Sequence, residues 1–531
     1  MRTRAIYLTF SSLNMSSSVA ILGGGISGLS AAYYLSKASP KSKILVIEGS
    51  KRVGGWIRSQ RVPPGFHSSA PSIPTDPNNV LFEVGPRSLR PVGPGGAAIL
   101  SMSNDLELQQ EMIFVSKTDP SAKNRYIYYQ DQINTLPTSL SSLILNQPPV
   151  FKSVLKSIMT EPFVPTSTKD DESLYSLVAR RFNDHVALNL VGAITHGIYA
   201  GDAKQLSVKS TMRILYEAEK RSGSVVRGMF GKTAPLSIGE QAMIDELDDG
   251  GKTTRETSVF GFKQGTETLV SKLRLYLSQQ SNVTIITEKQ VKKLTKSKNG
   301  DKLKIYADDS SVQVDHVIST IPSKKLDILL QKSLPNLSHN PSVDVAVINF
   351  AYDNISLKYN GFGFLTPHPD SHYKIPVPGT LGVVFDSNAM HGQEKNDKLV
   401  KLTVMMGGHM WNSAFGGLRV DQVDPEFVHQ RASEALRVYL GIEETPKYSM
   451  VNILPECIPQ YVVGHEARLG ELHQHMKQEY GHLLSVTGAS YLGVSVPDCV
   501  KNSKLLVQDL LKTGALGLRE NVVTGLNRVI Q

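Results

Sequence analysis

Residues 19–35 read VAILGGGISGLSAAYYL. The apolar run at 19–22 predicts a short buried strand, and 26–37 carries a helical pattern. Glycines 23, 25 and 28 fall at the turn between them. Gly23 permits the tight turn, Gly25 lets a pyrophosphate approach the backbone, and Gly28 lets the helix lie close on the sheet. The first helical amides, around Gly24, Ile26 and Ser27, then face the phosphates. A second strand at 43–47 (KILVI) ends beside Glu48, placed to accept hydrogen bonds from ribose hydroxyls. The glycines alone are a weak signal. Strand, turn, helix, strand and acid in that order predict a dinucleotide site.

The residues after Glu48 decide which dinucleotide. The stretch EGSKRVGGWIRS (48–59) sets Arg52 four positions after the acid, then Gly54, Gly55 and Trp56. A nicotinamide cofactor needs none of these. The stretch resembles the extended FAD fingerprint of the flavin amine oxidase superfamily. That resemblance implies Arg52 near the phosphates, Gly55 with its backbone against the flavin, and Trp56 beside it.

Composition bounds the rest. The 531 residues allow two or three domains, and 40% apolar with 20% charged residues is ordinary for a globular chain. The net charge of +9 suits anionic substrates or anionic lipid. Nucleic acid is disfavoured, because the basic residues are scattered without interleaved aromatics. Only Cys457 and Cys499 occur, with no CxxC pair, which argues against a disulfide framework or a cysteine-based zinc site. The histidines show no metal-ligand spacing along the chain, so no metal is expected. No apolar run reaches the ~18 residues that cross a bilayer, so membrane contact would be peripheral or monotopic. Residues 1–18 are basic, Ser-rich and free of acid, the composition of a mitochondrial presequence or of a short disordered leader.

Further along, 283–294 and 302–308 alternate as strands around the Asn299-Gly300 turn, and 314–322 is a buried strand ended by Pro322. Near the end, LLSVTGASYLGVSVPDCVKNSKLL (483–506) reads as strand, glycine turn and helix. The superfamily interrupts its cofactor domain with insertions, and these pieces match its later parts. The segments FEVGPRSLRP (82–91), NRYIYY (124–129), HGIYAGDAKQLS (196–207), GFGFLTP (361–367), LGVVFDS (381–387), TVMMGGHM (403–410) and IPQYVVGH (458–465) together resemble the protoporphyrinogen oxidase family.

The resemblance implies an α/β (α+β multidomain) architecture. A Rossmann-like FAD domain would be assembled from 19–90, 257–322 and 483–511. A helical membrane-binding domain would span 91–206, and a substrate domain 207–256 with 323–482. The leader 1–18 and tail 512–531 lie outside it, and 222–255, rich in Gly, Ser and Asp, reads as a variable surface loop. Residues 136–159 read as a pair of amphipathic helices with Lys152 and Lys156, either lying on an anionic bilayer or packed as a subdomain.

It also implies FAD, held non-covalently by Gly23, Gly24, Gly25, Ile26, Ser27, Gly28, Glu48, Arg52, Gly55, Trp56, Gly85, Pro86, Arg87, Ser88, Val291, Ala489, Val494, Ser495 and Val496. Arg87 would sit near the flavin, or else pair with an acid. Protoporphyrinogen IX would be bound by Arg125 through a propionate. Phe362, Leu365, Leu381 and Met405 would pack on its pyrroles, although each is by pattern alone an ordinary core residue. The Gly197 carbonyl would position the ring, and no residue in the matched motifs fits a general base. His196 would line the pocket. O2 would reoxidise the flavin to give H2O2 at the inner mitochondrial membrane, in a homodimer able to hand its product to ferrochelatase. Two other readings compete. One is an amine-oxidising flavoenzyme, for which Cys499 lacks the covalent-attachment pattern. The other is a non-enzymatic Rab GDP-dissociation inhibitor, which needs neither Arg52, Gly54, Gly55 and Trp56 nor the C-terminal glycine turn.

Overall fold

The computed structural model describes residues 17–68, 76, 79–137, 148–151, 154–231, 235–247, 252–308, 310–396, 398–516 and 520–529. Most of the leader, and half of the helix pair expected at 136–159 including Lys152, lie outside the described residues.

Two sheets organise the chain. The first is parallel, with strands Val283–Ile286, Lys43–Ile47, Ser18–Leu22, His316–Ser319 and Leu484–Val486 side by side in that order. Such near-continuous apolar strands require cover on both faces. One face receives the helices Ile26–Ala38, Gly93–Asp105, Glu267–Ser278 and Val496–Thr513, packed through Leu29, Ala97, Ile99, Leu273 and Leu506. The other is covered by helices Ser323–Leu329 and His465–Glu479 and by an antiparallel sheet of Val291–Lys296, Leu303–Ala307 and Ser310–Val314. The stretch 283–294 therefore divides between two sheets, with Glu288 in the left-handed region (φ 57°) at the break.

The second sheet has eight strands, in the order Gly65–Ser68, Tyr448–Pro459, Ser342–Tyr352, Val400–Gly407, Thr380–Val384, Gly363–Leu365, Tyr126–Tyr129 and Gln132–Thr135. The helix Pro425–Leu440 packs on it through Val428, Ala432 and Leu436. A third, helical body includes Leu174–Arg181, the π-wound turn Val186–Val191, Gly192–Tyr199 and Val225–Met229. At its centre the fully buried Arg181 pairs with the buried Glu161, whose carboxylate also accepts from the Val225 amide at 2.7 Å.

The α/β class with a Rossmann-like parallel sheet is as expected. The segment limits differ. Gly93–Asp105 packs in the core of the parallel sheet, and Tyr126–Tyr129 with Gln132–Thr135 extends the large sheet, so only the later part of 91–206 forms the helical body. Gly65–Ser68 also joins the large sheet, by pairing with Tyr448–Pro459. Ser323–Leu329 and His465–Glu479 belong under the parallel sheet. The region 222–255 is not simply loop: Val225–Met229, Ile238–Asp245 and Lys252–Glu256 are helical, and Met243 is buried in the core of the parallel sheet. Part of the tail is structural, since the Val486 amide donates to the Thr524 carbonyl at 2.8 Å and Leu526 is buried.

Candidate functional site

The glycine turn is built as its spacing demands. Gly23 has φ 99°, and its amide donates to the Ile47 carbonyl at 2.9 Å. A Cβ at Gly28 would lie 2.0 Å from the Gly23 carbonyl oxygen, so only glycine lets the helix start so close to the strand. At Gly25, a Cβ would meet nothing nearer than the Gly55 Cα at 4.0 Å. The two glycine turns face each other here: Gly25 bridges Gly54, and Gly55 adopts φ 58°. Glu48 Oε2 accepts from the Gly24 amide at 2.7 Å, and Oε1 accepts from Ser50. An open backbone cradle at a helix N-terminus, with a carboxylate at the next strand end, fits the diphosphate and ribose of a dinucleotide.

Arg52 is engaged by the second glycine turn. Its guanidinium donates to the carbonyls of Val53, Gly55 and Ile57 and lies 3.5 Å from Glu267. It pins the second glycine turn. Trp56 is 44% exposed, and its carbonyl oxygen would be 2.3 Å from a Cβ at Gly85, which ties Gly85 and Pro86 to the same turn. Arg87 is paired with an acid: Nη1 donates to Asp386 at 3.1 Å, and Thr403 Oγ1 donates to the other carboxylate oxygen at 2.5 Å. Asn349 links Thr403 to the Glu83 carbonyl, so this network joins the Gly85–Ser88 segment to the large sheet. Ser88 is half-buried beside it.

At the C-terminal turn, Gly488 and Gly493 have φ 105° and 137°. The buried Tyr461 hydroxyl donates to the Ala489 carbonyl at 2.5 Å and accepts from the Gly493 amide at 2.9 Å. Val494 is half-buried, and Ser495 caps the helix beginning at Val496 by accepting from the Asp498 amide. Val291 is half-buried at the start of its strand.

Toward the edge of the large sheet, Arg125 and Phe362 each precede one of two paired parallel strands. The guanidinium lies 5.4 Å from the Phe362 ring centre, within cation–π range. Burial, then the neighbouring Arg90, lower the Arg125 pKa, and no carboxylate among the described residues pairs with it. Both facts make the spot favourable for an anion. About three residues along the strands, ~10 Å away, Leu365 touches Gly197: a Cβ there would be 3.0 Å from Leu365 Cδ1. Leu365, Gly382 and Met405 are aligned across three strands. Leu381 is only 1% exposed and packs in the interior of the large sheet, so it is a core residue here. The sequence reading missed Ile194 and Ile198, which leave an apolar helix face exposed around Gly197. Their i, i+3, i+4 spacing was the available signal.

The histidines are not isolated. His196 Nδ1 donates to the Thr366 carbonyl at 2.9 Å, and its Nε2 is 2.8 Å from His409 Nε2. His368 Nε2 donates to Asp202 at 3.0 Å, and the two histidines 368 and 409 stack at 5.3 Å. Burial pushes His196 well below the usual imidazole range and His409 down to about 4. Burial alone would raise Asp202, but hydrogen bonds from His368 and from the Lys204 amide hold it below the usual carboxylate range. Positions 196, 202, 368 and 409 carry no sequence spacing that would reveal this cluster.

The chain belongs to the flavin containing amine oxidoreductase family, whose model matches residues 26–511. It is a flavin-dependent oxidoreductase. Among its relatives, the protoporphyrinogen oxidase of Homo sapiens is 33% identical over 94% of this chain and 99% of its own length. The coproporphyrinogen III oxidase of Bacillus subtilis is 27% identical over 93% and 97%. A crystal structure from Exiguobacterium sp. 255-15 superposes with TM-score 0.71 at 20% identity, covering 94% of this chain and 99% of that one, and so shares the fold.

Proposed function

We propose that this protein oxidises protoporphyrinogen IX to protoporphyrin IX with FAD as its cofactor and O2 as the terminal oxidant. Six electrons leave the substrate in three two-electron steps, and three O2 leave as H2O2. The observation that carries the proposal is the 33% identity to the human protoporphyrinogen oxidase along nearly the whole of both chains.

When bound, the flavin supplies a two-electron acceptor for hydride from the substrate. The residues suited to hold it are the Gly23–Gly28 turn, Glu48, the turn pinned by Arg52 and the helix start at Val496. Non-covalent binding of FAD is part of the proposal, and it is supported by the burial of the Cys499 thiol. Arg125 binds one propionate, its planar fork matched to a carboxylate. Phe362, Leu365, Met405 and the exposed Ile198 supply apolar walls, and the missing side chain at Gly197 lets Leu365 pack against the helix backbone. Catalysis is chiefly positioning of the macrocycle against the cofactor.

Anaerobic mixing with protoporphyrinogen IX should bleach the flavin, and admitting O2 should then give porphyrin fluorescence and H2O2. An unbleached flavin would sink the proposal. The Bacillus relative motivates a second reading, oxidation of coproporphyrinogen III, which bears four carboxylates. A kcat/KM that favours coproporphyrinogen III in direct competition would establish it instead.

Action at the inner mitochondrial membrane belongs to the same proposal. No described helix is long and apolar enough to cross a membrane. Support comes from Met159, Phe163, Met229 and Phe230, which are 51–82% exposed on or beside contacting elements of the helical body. A Phe163→Glu, Phe230→Glu double variant should lose co-sedimentation with anionic vesicles while keeping its flavin. Unchanged sedimentation would rule out this face.

A further inference from the structure

Asp202, His368 and His409 come from three distant segments, yet one ligand atom of each lies within 4.8 Å of the other two. Backbone geometry brings them together. Gly408 adopts φ 59°, a Cβ there would be 2.2 Å from the Ala200 carbonyl, and the His409 amide donates to that carbonyl at 2.9 Å. A Cβ at Gly192 would in turn be 2.8 Å from the His368 Cβ. Glycines thus permit both histidine-bearing segments to close on the helix that carries Gly197.

We propose that Asp202, His368 and His409 form a binding site for one divalent transition-metal ion, with water in the fourth position. Two imidazoles and one carboxylate, without thiolate, suit Zn2+ or Co2+ and disfavour Mg2+ and Ca2+. Bonds of ~2.0–2.2 Å place tetrahedral ligand atoms ~3.4 Å apart. Side-chain rotation must therefore close the widest gap by no more than ~1.4 Å. Asp202 and His409 are half-buried, so the ion has an approach from solvent.

The surrounding groups can orient each ligand in its metal-bound form. His409 Nε2 is engaged by His196, which donates from Nδ1 to the Thr366 carbonyl, so Nδ1 of His409 is left to coordinate. Asp202 keeps its hydrogen bonds from the Lys204 amide and Gln205. His368 requires a tautomer change. Without metal its Nδ1 accepts from the Asp370 amide at 3.1 Å and its Nε2 donates to Asp202. With Nε2 on the metal, the proton resides on Nδ1, so the ring must turn from the Asp370 amide, itself a donor, toward the Asp370 carboxylate, now 4.0 Å away. The ring stays neutral and no proton is lost. The ion would clamp the Gly197 helix to the ends of two strands of the large sheet.

The site is independent of which porphyrinogen is oxidised, and its test does not read turnover. The flavoprotein, stripped with chelator and dialysed against Zn2+, should retain one equivalent and show a raised Tm. Co2+ should give the intense visible absorption of a low-symmetry four-coordinate site. Asp202→Asn and His409→Gln should each weaken binding at least tenfold, and His475→Ala, at an exposed histidine, should not. Failure to take up one equivalent of either metal at micromolar concentration would overturn the proposal. So would uptake that both Asp202→Asn and His409→Gln leave unchanged. If Asp202→Asn does not fold, His409→Gln and the Co2+ spectrum of the native chain decide.

Discussion

Arg125 holds a full positive charge over an aromatic ring, with Arg90 nearby and no acid among the described residues to neutralise it. A charge-assisted hydrogen bond to a carboxylate is worth ~1.5–3 kcal/mol, or roughly ten- to hundredfold in affinity. Arg125→Ala should therefore raise KM for protoporphyrinogen by about that factor. It should leave flavin content unchanged and kcat nearly so, and Arg125→Lys should recover part of the loss. A fall in kcat at constant KM would remove the propionate role. The glycines of the first turn were legible from sequence because each answers a local demand, a positive φ at Gly23 or the absence of a Cβ at Gly28. The pairing of Arg87 with an acid was one of two readings, but which acid, like the contacts of Arg52, was not legible. Their partners, Glu267 and Asp386, lie hundreds of positions away and only the fold supplies them.

The C-terminal glycine turn depends on a side chain from another element. Tyr461 spans the turn by donating to Ala489 and accepting from Gly493, and its ring stacks on His465 at 4.2 Å. Tyr461→Phe keeps the ring but leaves a buried carbonyl and amide unpaired, a cost of ~1–3 kcal/mol. The variant should melt about 1–3 °C lower and lose flavin more readily on gel filtration. Wild-type flavin retention at a lowered Tm would show that the turn does not help hold the cofactor. Strands and helices in regular patterns were readable, whereas helices in a polar, Gly-rich context were not. Within 222–255, Ser237 and Glu240 form a reciprocal capping box, and Ser224 caps the preceding helix. Those S-x-x-E and cap signals were present in the sequence, but the composition around them suggested loop. The extension of the large sheet by Tyr126–Tyr129 was equally hidden, because its partner Gly363–Leu365 is three residues long.

Across the whole molecule, buried ionisable groups oppose one another as pH falls. His316 lies in the parallel sheet with Nδ1 against the His482 carbonyl, and His465 is held between Asn340 and the Tyr491 carbonyl. Burial pushes each down to about 4, although a hydrogen bond to a carbonyl acts the other way. Their unfolded pKa is ~6.5, so between pH 4 and 6.5 the unfolded chain binds more protons and stability falls on acidification. Glu83 has the opposite sign. Burial raises it to about 7 despite hydrogen bonds from Ser59 and Thr266, so the folded state binds the extra proton between pH 4.5 and 7. From pH 7.5 to 4.5 the two histidines together remove about 5 kcal/mol and Glu83 adds about 3. His196 and His409 act in the direction of the other histidines. Glu161 and Asp202, held below the usual carboxylate range, lose their contributions only at lower pH. The urea midpoint should therefore decline on acidification through this window in the wild type. Glu83→Gln removes the opposing group, so its decline should be steeper by about 3 kcal/mol over the same span. Parallel wild-type and variant curves would mean that Glu83 is already ionised in the folded protein at pH 4.5.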